Sequence, residues 1–102
     1  MAYTIKLLPI VHTDLQEAKA WYNEHRETLG EALKKEVNKE IDYIGQHPEH
    51  YQRKYKELRQ SLVTRFPYAI FYLVEEKKRQ VIVFGLLHTS RNPETIRKRI
   101  KK

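Results

Sequence analysis

Apolar positions along the chain form a short alternating run, two helical stripes, an uneven stretch and two dense apolar runs. Residues 3–9 (YTIKLLP) alternate loosely and stop at Pro9, which predicts a first strand. Asp14 and Glu17 have the spacing of an N-cap and its capping-box partner, and Leu15, Ala18, Trp21, Tyr22 and His25 then recur at helical spacing. They predict a helix from about Leu15 to Arg26, and Leu29–Gly30 predicts the turn after it. Leu33, Val37, Ile41 and Ile44 form one stripe of a second helix, with Lys34, Lys35, Glu36, Lys39 and Glu40 on its wet side and Gly45 and Pro48 ending it. Two helices joined by so short a link predict an antiparallel hairpin. Trp21, Tyr22 and the second stripe are expected in the core.

Residues 47–53 read as a polar loop. An unevenly patterned second strand is expected from about Tyr55 to Thr64, and Pro67 separates it from a third strand, Tyr68 to Glu75. Residues 76–79 make a charged turn into a fourth strand, Val81 to His88. Asn92-Pro93-Glu94 opens a short last helix, with an N-cap, proline at the first helical position and an acid in the first turn. Ile96 and Ile100 anchor it, and the RKRIKK tail is expected to fray. The fold class expected is α+β: an antiparallel helical hairpin packed on one face of a mainly antiparallel four-stranded sheet, with a short C-terminal helix. The third and fourth strands are apolar on both faces and the hairpin covers only one. The last helix or a partner must shield part of the other.

At 102 residues, 40% apolar and with eleven aromatics, the chain is expected to fold as one domain over residues 1–102 rather than stay disordered. It has no cysteine, which excludes disulfides and thiolate chemistry and fits a reducing cytoplasm, the expected location. The longest apolar run, Val81 to Leu87, is far too short to span a bilayer, and no secretory leader or membrane association is expected. Charge alters the picture more. Residues 1–52 hold six Lys/Arg and nine Asp/Glu, a net of −3, while residues 53–102 hold fourteen and four, a net of +10. A basic half built on strands suggests a surface for polyanions or for an acidic protein.

The candidate chemistry lies around the two dense strands. Arg65 precedes the third, and His88 and Arg91 follow the fourth. A hairpin sets the start of one strand beside the end of the next, so these three are expected together at the end opposite the 76–79 turn. RNA cleavage without a metal needs a base for the 2′-hydroxyl, a cation for the phosphorane and an acid for the leaving oxygen. Arg65, Arg91, Lys54, Lys56 and Arg59 offer cations, and an imidazole such as His88 is the side chain that moves protons near neutral pH. Lys54, Lys56, Arg59 and Arg97 are candidates for contacting nucleic acid or another target. The plainer readings stand beside these. Arg65 and Arg91 are solvated or paired with acids, His88 caps a turn, Lys54, Lys56 and Arg59 are a solvated edge, and Lys77-Lys78-Arg79 is a solvated turn. His47 and His50 flank Pro48 with no third ligand in view, so no metal and no cofactor is expected.

The order of strand, helical hairpin and meander, with Arg65-Phe66-Pro67-Tyr68 entering the meander, Ile70-Phe71-Tyr72 within it and His88-Thr89-Ser90-Arg91-Asn92-Pro93 leaving it, resembles the RelE/ParE superfamily of toxins from type II toxin–antitoxin modules. The resemblance covers roughly residues 3–96. It implies a small α+β toxin of a plasmid-stabilising module, neutralised by a cognate antitoxin laid across the sheet and the helical hairpin. It also implies one of two activities. RelE-like members cut mRNA in the ribosomal A site without a metal. ParE-like members block DNA gyrase and have no known hydrolytic chemistry. RelE-like toxins use an arginine and a base-stacking tyrosine near the C-terminus, and no aromatic follows Phe84 here. Some cleaving relatives use a histidine where His88 stands, and the His-x-x-Arg ending is also common among ParE-like sequences. The ParE-like reading leads, and the ribosome-dependent endonuclease is the alternative. A basic RNA-binding domain without catalysis is a further alternative, though RNP motifs and a GXXG loop are absent.

Overall fold

The computed structural model describes residues 2–26 and 28–100. Its elements are β1 (Thr4–Leu7), α1 (Pro9–His25), α2 (Leu29–Gln46), β2 (Arg53–Tyr55), β3 (Leu58–Leu62), β4 (Tyr68–Glu75), β5 (Gln80–His88) and α3 (Glu94–Ile100). The strands form one sheet in the order β1-β5-β4-β3-β2.

This sheet has five strands, not the four expected, and it is mixed. Residues 55–64 are not one strand. A two-residue turn at Lys56–Glu57 folds β2 onto β3, pairing Tyr55 with Leu58 and Arg53 with Arg59. Lys56 sits in the left-handed region, φ 49°, without the Gly, Asn or Asp that usually marks such a turn. β1 runs parallel to β5, from Thr4↔Gln80 to Leu7↔Val83, while the other three strand pairs among the described residues are antiparallel.

The first helix begins at Pro9, well before Leu15. Proline has no N–H to lose at the first helical position, so the residue expected to stop the first strand opens α1 instead. Asp14 is therefore no N-cap. It lies inside α1, 7% exposed, and its carboxylate serves the tertiary structure. Leu29 and Gly30 belong to α2 rather than to a turn. The Gly30 N–H donates to Asn23 Oδ1 at 3.0 Å, and a Cβ at position 30 would collide with that side chain, so glycine lets the hairpin close.

Both faces of the sheet are covered, unequally. On one, Val11 and Ala18 of α1 and Leu33, Val37 and Ile44 of α2 pack on Ile70, Tyr72, Val81, Val83 and Leu86. On the other, Ile96 of α3 packs on Leu58, Ala69, Phe71 and Leu87. The last helix is thus the shield on the second face and is helical to Ile100, and Lys101 and Lys102 of the basic tail lie outside the described residues. It leaves the β3 side open, where Leu62 is 58% exposed. Trp21 is 53% exposed and is not core. Successive helix positions point about 100° apart. Tyr22 takes the inward one, edge-on to Phe66 at 5.2 Å, and Trp21 stacks outside on His25 at 4.0 Å. Among the described residues no helix is long and apolar enough to cross a membrane.

Candidate functional site

The β4–β5 ladder ends at Tyr68↔His88, and the Thr89 N–H donates to the Pro67 carbonyl at 2.8 Å. Residues 65–68 and 88–91 therefore share one end of the sheet, opposite the 76–79 turn. Their side chains part there. The His88 ring stands edge-on to Tyr68 at 5.3 Å. Its Nδ1 accepts the Ser90 backbone N–H at 3.1 Å and lies 2.8 Å from Ser90 Oγ. A backbone N–H can only donate, so Nδ1 carries the lone pair, and the proton of the neutral ring sits on Nε2. The Arg91 N–H donates to the His88 carbonyl at 2.9 Å, closing the turn that brings Arg91 back over the strand end. The Tyr68 hydroxyl is pushed above its ordinary pKa by burial and by Tyr22, against the opposing pull of the Arg91 charge.

His88 and Arg91 line one groove of about 210 Å³ with Lys54 and Tyr55, floored by Ala69, Phe71, Leu87 and Ile96. A second depression of about 310 Å³ continues it between the β2–β3 turn and α3, lined by Lys54, Tyr55, Lys56, Arg97 and Ile100. The Arg97 guanidinium lies 5.3 Å over the Tyr55 ring and also reaches Glu94 Oε1 at 3.3 Å.

Arg65 and Arg59 go elsewhere. Arg65 holds a left-handed backbone, φ 73°, in the turn that lets Phe66 bury against Tyr22. Its guanidinium faces Glu36 of α2 at 3.7 Å, in a depression shared with Thr28, Glu31 and Lys35 on the hairpin side. Arg59 is in register with Tyr72, hence on the hairpin face, and donates to the Tyr51 carbonyl at 2.7 Å. Of the sequence candidates, Arg91, Lys54, Lys56 and Arg97 line one trough; His88 borders it at the strand end, but its ring packs on Tyr68, which faces the hairpin, and Arg65 and Arg59 lie away from it.

Sequence reasoning missed three side chains here. Tyr55 forms the aromatic wall of the trough; its only signal was an aromatic between two lysines. Asp14 and Arg99 position α3. Beyond Val83 strand β5 has outrun β1, and Asp14 Oδ2 accepts the Leu86 N–H there at 3.0 Å. Arg99 grips both Asp14 oxygens, at 2.7 and 3.0 Å, and donates to the Phe84 carbonyl at 3.1 Å. On the hairpin face, Glu40 Oε2 accepts from the Tyr51 hydroxyl at 2.6 Å and from Ser61 Oγ at 2.5 Å. Burial first, and Glu40 second, push the Tyr51 phenol up to about 12. His50 is engaged by the Tyr43 hydroxyl at 3.1 Å, and no group of three metal-ligating side chains occurs among the described residues.

In chemical terms the trough supplies cations on both rims and an aromatic wall over an apolar floor. It suits an anionic ligand with flat or apolar parts.

Residues 5–93 match the family model described as the ParE toxin of the type II toxin–antitoxin system, parDE. Among solved structures, the fold is similar to one from the chromosomal ParDE toxin–antitoxin system of P. aeruginosa (TM-score 0.74, 11% identity, covering 85% of this chain and 96% of that one). It is also similar to a variant of the E. coli toxin RelE in the free state (TM-score 0.72, 15% identity, 99% and 97%). A third likeness is to the toxin–antitoxin complex RelBE2 of M. tuberculosis (TM-score 0.61, 13% identity, 86% and 99%). At these identities the likeness speaks for the fold. No curated protein matches the sequence.

Proposed function

We propose, from the premise that this chain belongs to the family of ParE toxins of type II toxin–antitoxin systems, that it arrests growth by blocking DNA gyrase in the cytoplasm and is held inactive by a cognate antitoxin. One observation carries the choice of target. The candidate base is already engaged, and Arg65 does not join it. His88 Nδ1 already accepts from Ser90, which leaves a protonated Nε2 that donates rather than abstracts. Arg65 is turned to Glu36 of α2. A site that binds through donors and cations without a proton-transfer pair fits inhibition by contact better than hydrolysis. Charge and surface support the antitoxin. The open part of the second face is basic, with exposed Leu62 beside it, and an acidic amphipathic segment would complement both.

A second reading, ribosome-dependent mRNA cleavage, is favoured by the meeting of His88, Arg91 and Lys54 in one groove. Tightly controlled expression separates the two. The gyrase reading expects inhibited supercoiling by the purified toxin and no new 5′ ends on mRNA. Ribosome-dependent cleavage in primer extension, with supercoiling unaffected, would replace it.

A further inference from the structure

Cover over the second face thins towards the 76–79 turn. Ala69, Phe71 and Leu87 are buried under α3, whereas Leu73, Ile82 and Phe84 are only half-buried. Strand register fixes what surrounds them. Lys6 pairs with Ile82, and Ile82 with Leu73; one pleat nearer the turn, Thr4, Gln80 and Glu75 stand in line. Ile5, Val81 and Val74 point into the hairpin-side core, so these alternate residues all face the other way. The result is an apolar patch with one cation and one anion on opposite flanks. Lys6 is exposed on β1, and Glu75 lies on β4, two strand spacings or roughly 10 Å away.

Glu75 Oε1 is also the one buried side-chain N or O atom without a hydrogen-bond partner among the described residues. A buried carboxylate oxygen with no donor is costly, and a cation brought up to it offsets the penalty. A wholly acidic partner would meet Glu75, and a wholly basic one Lys6. A surface with one charge of each sign about an apolar centre complements itself. We propose that this patch binds a second copy of the chain, face to face, about a two-fold axis parallel to β5. Such an axis exchanges the two sides of β5, so Lys6 of each copy approaches Glu75 of the other while Ile82 packs on its counterpart. The aliphatic stem of Lys6 crosses Leu73 of the other copy on the way. The patch is small and each copy carries a net charge of +7, so the dimer is weak and reversible. The inference is independent of the target proposed above.

Sedimentation velocity of the full chain, from micromolar to millimolar at physiological salt, tests this. Expected is a reversible monomer–dimer equilibrium. Lys6→Glu and Glu75→Lys each weaken it about tenfold or more, and the double variant with the two charges exchanged returns close to the parent. Overall charge cannot produce that pattern, because the first change lowers the net charge of +7 and the second raises it. Ile82→Thr, which keeps a β-branched side chain in the strand, also weakens the dimer. Circular dichroism and thermal melting check that each variant is folded. Where the lysine disrupts the sheet, Glu75→Gln takes the place of Glu75→Lys, again with a weaker dimer expected. A chain that stays monomeric throughout would overturn the proposal. So would single charge variants whose exchange restores nothing, or association that strengthens in Lys6→Glu as the net charge falls. A dimer indifferent to all three positions and lost in Trp21→Ala would overturn it too, by placing the contact on α1.

Discussion

Arg99 clasps Asp14 with two charge-assisted bonds, 2.7 and 3.0 Å long, between residues 85 positions apart. The pair joins α3 on one face of the sheet to α1 on the other, around the place where β1 stops short of β5. Both side chains are largely buried, 17% and 6% exposed. The same carboxylate accepts the Leu86 N–H, so one side chain satisfies an open strand edge and holds a helix at once.

Asp14→Ala should therefore destabilise strongly, by about 3–5 kcal/mol, because it strands a buried guanidinium and a buried N–H. Arg99→Met alone leaves the Asp14 charge with only the Leu86 N–H. The double variant should cost less than the sum of the two. Urea unfolding of the three variants checks this, and hydrogen exchange in α3 should rise in the single variants.

Gly85 lies beneath this clasp. A Cβ there would come within 2.8 Å of Arg99 Nη1 and 3.1 Å of Ile96 Cδ1. Gly85→Ala should cost about 1–3 kcal/mol by overpacking. With Arg99→Ala already in place the cost should fall, since the guanidinium no longer has to hold its position. An equal cost in both backgrounds would show that Ile96 alone sets the limit.

Leu33 and Ile44 are fully buried under the sheet, and truncating either to alanine should cost about 2–5 kcal/mol in urea unfolding. Trp21→Ala should stay within about 0.5 kcal/mol, as expected of a surface position, although tryptophan is the larger side chain. The contrast tests whether Trp21 lies outside the core that the α2 stripe fills.

Two phenols predict alkaline instability. Tyr51 and Tyr72 are each pushed from 10.0 up to about 12, chiefly by burial. A raised folded-state pKa means that the native state holds protons the unfolded chain has released. Their contribution is full below pH 10 and is lost as pH rises towards 12. Urea midpoints should be flat up to about pH 9.5 and then fall. Tyr51→Phe should flatten that fall even though it removes the bond to Glu40.

At the end of β5, His88→Gln should leave toxicity in place if the target is gyrase, because no proton transfer is lost. In a cleaving toxin the same change should reduce the rate about 10²–10⁴-fold. Growth after induction, read beside primer extension with ribosomes, distinguishes the two. Arg65→Ala should behave as a hairpin-face variant, with little effect on either assay.

Local pattern alone determined the helical hairpin, the two dense strands, the charged turn between them and the last helix. Leu33, Val37 and Ile44 repeat at the period of a helix, and Tyr68–Glu75 and Val81–His88 are long apolar runs bounded by breakers; these signals lie within a few residues of the elements they specify. It also placed Arg65 and His88 at one end of the sheet, since a hairpin turn forces that proximity. Tertiary structure decided what depends on distant partners. β1 becomes a parallel strand only because β5 offers an edge. Asp14 matches an N-cap in sequence, yet it is buried in the helix because Leu86 and Arg99 need its oxygens. The Lys56–Glu57 turn lacks turn residues, so β2 and the position of Tyr55 emerged only with the fold. The faces of Arg59 and Arg65 were likewise decided by strand register and by Glu36. A cation in the sequence has a charge but no direction until the sheet supplies one.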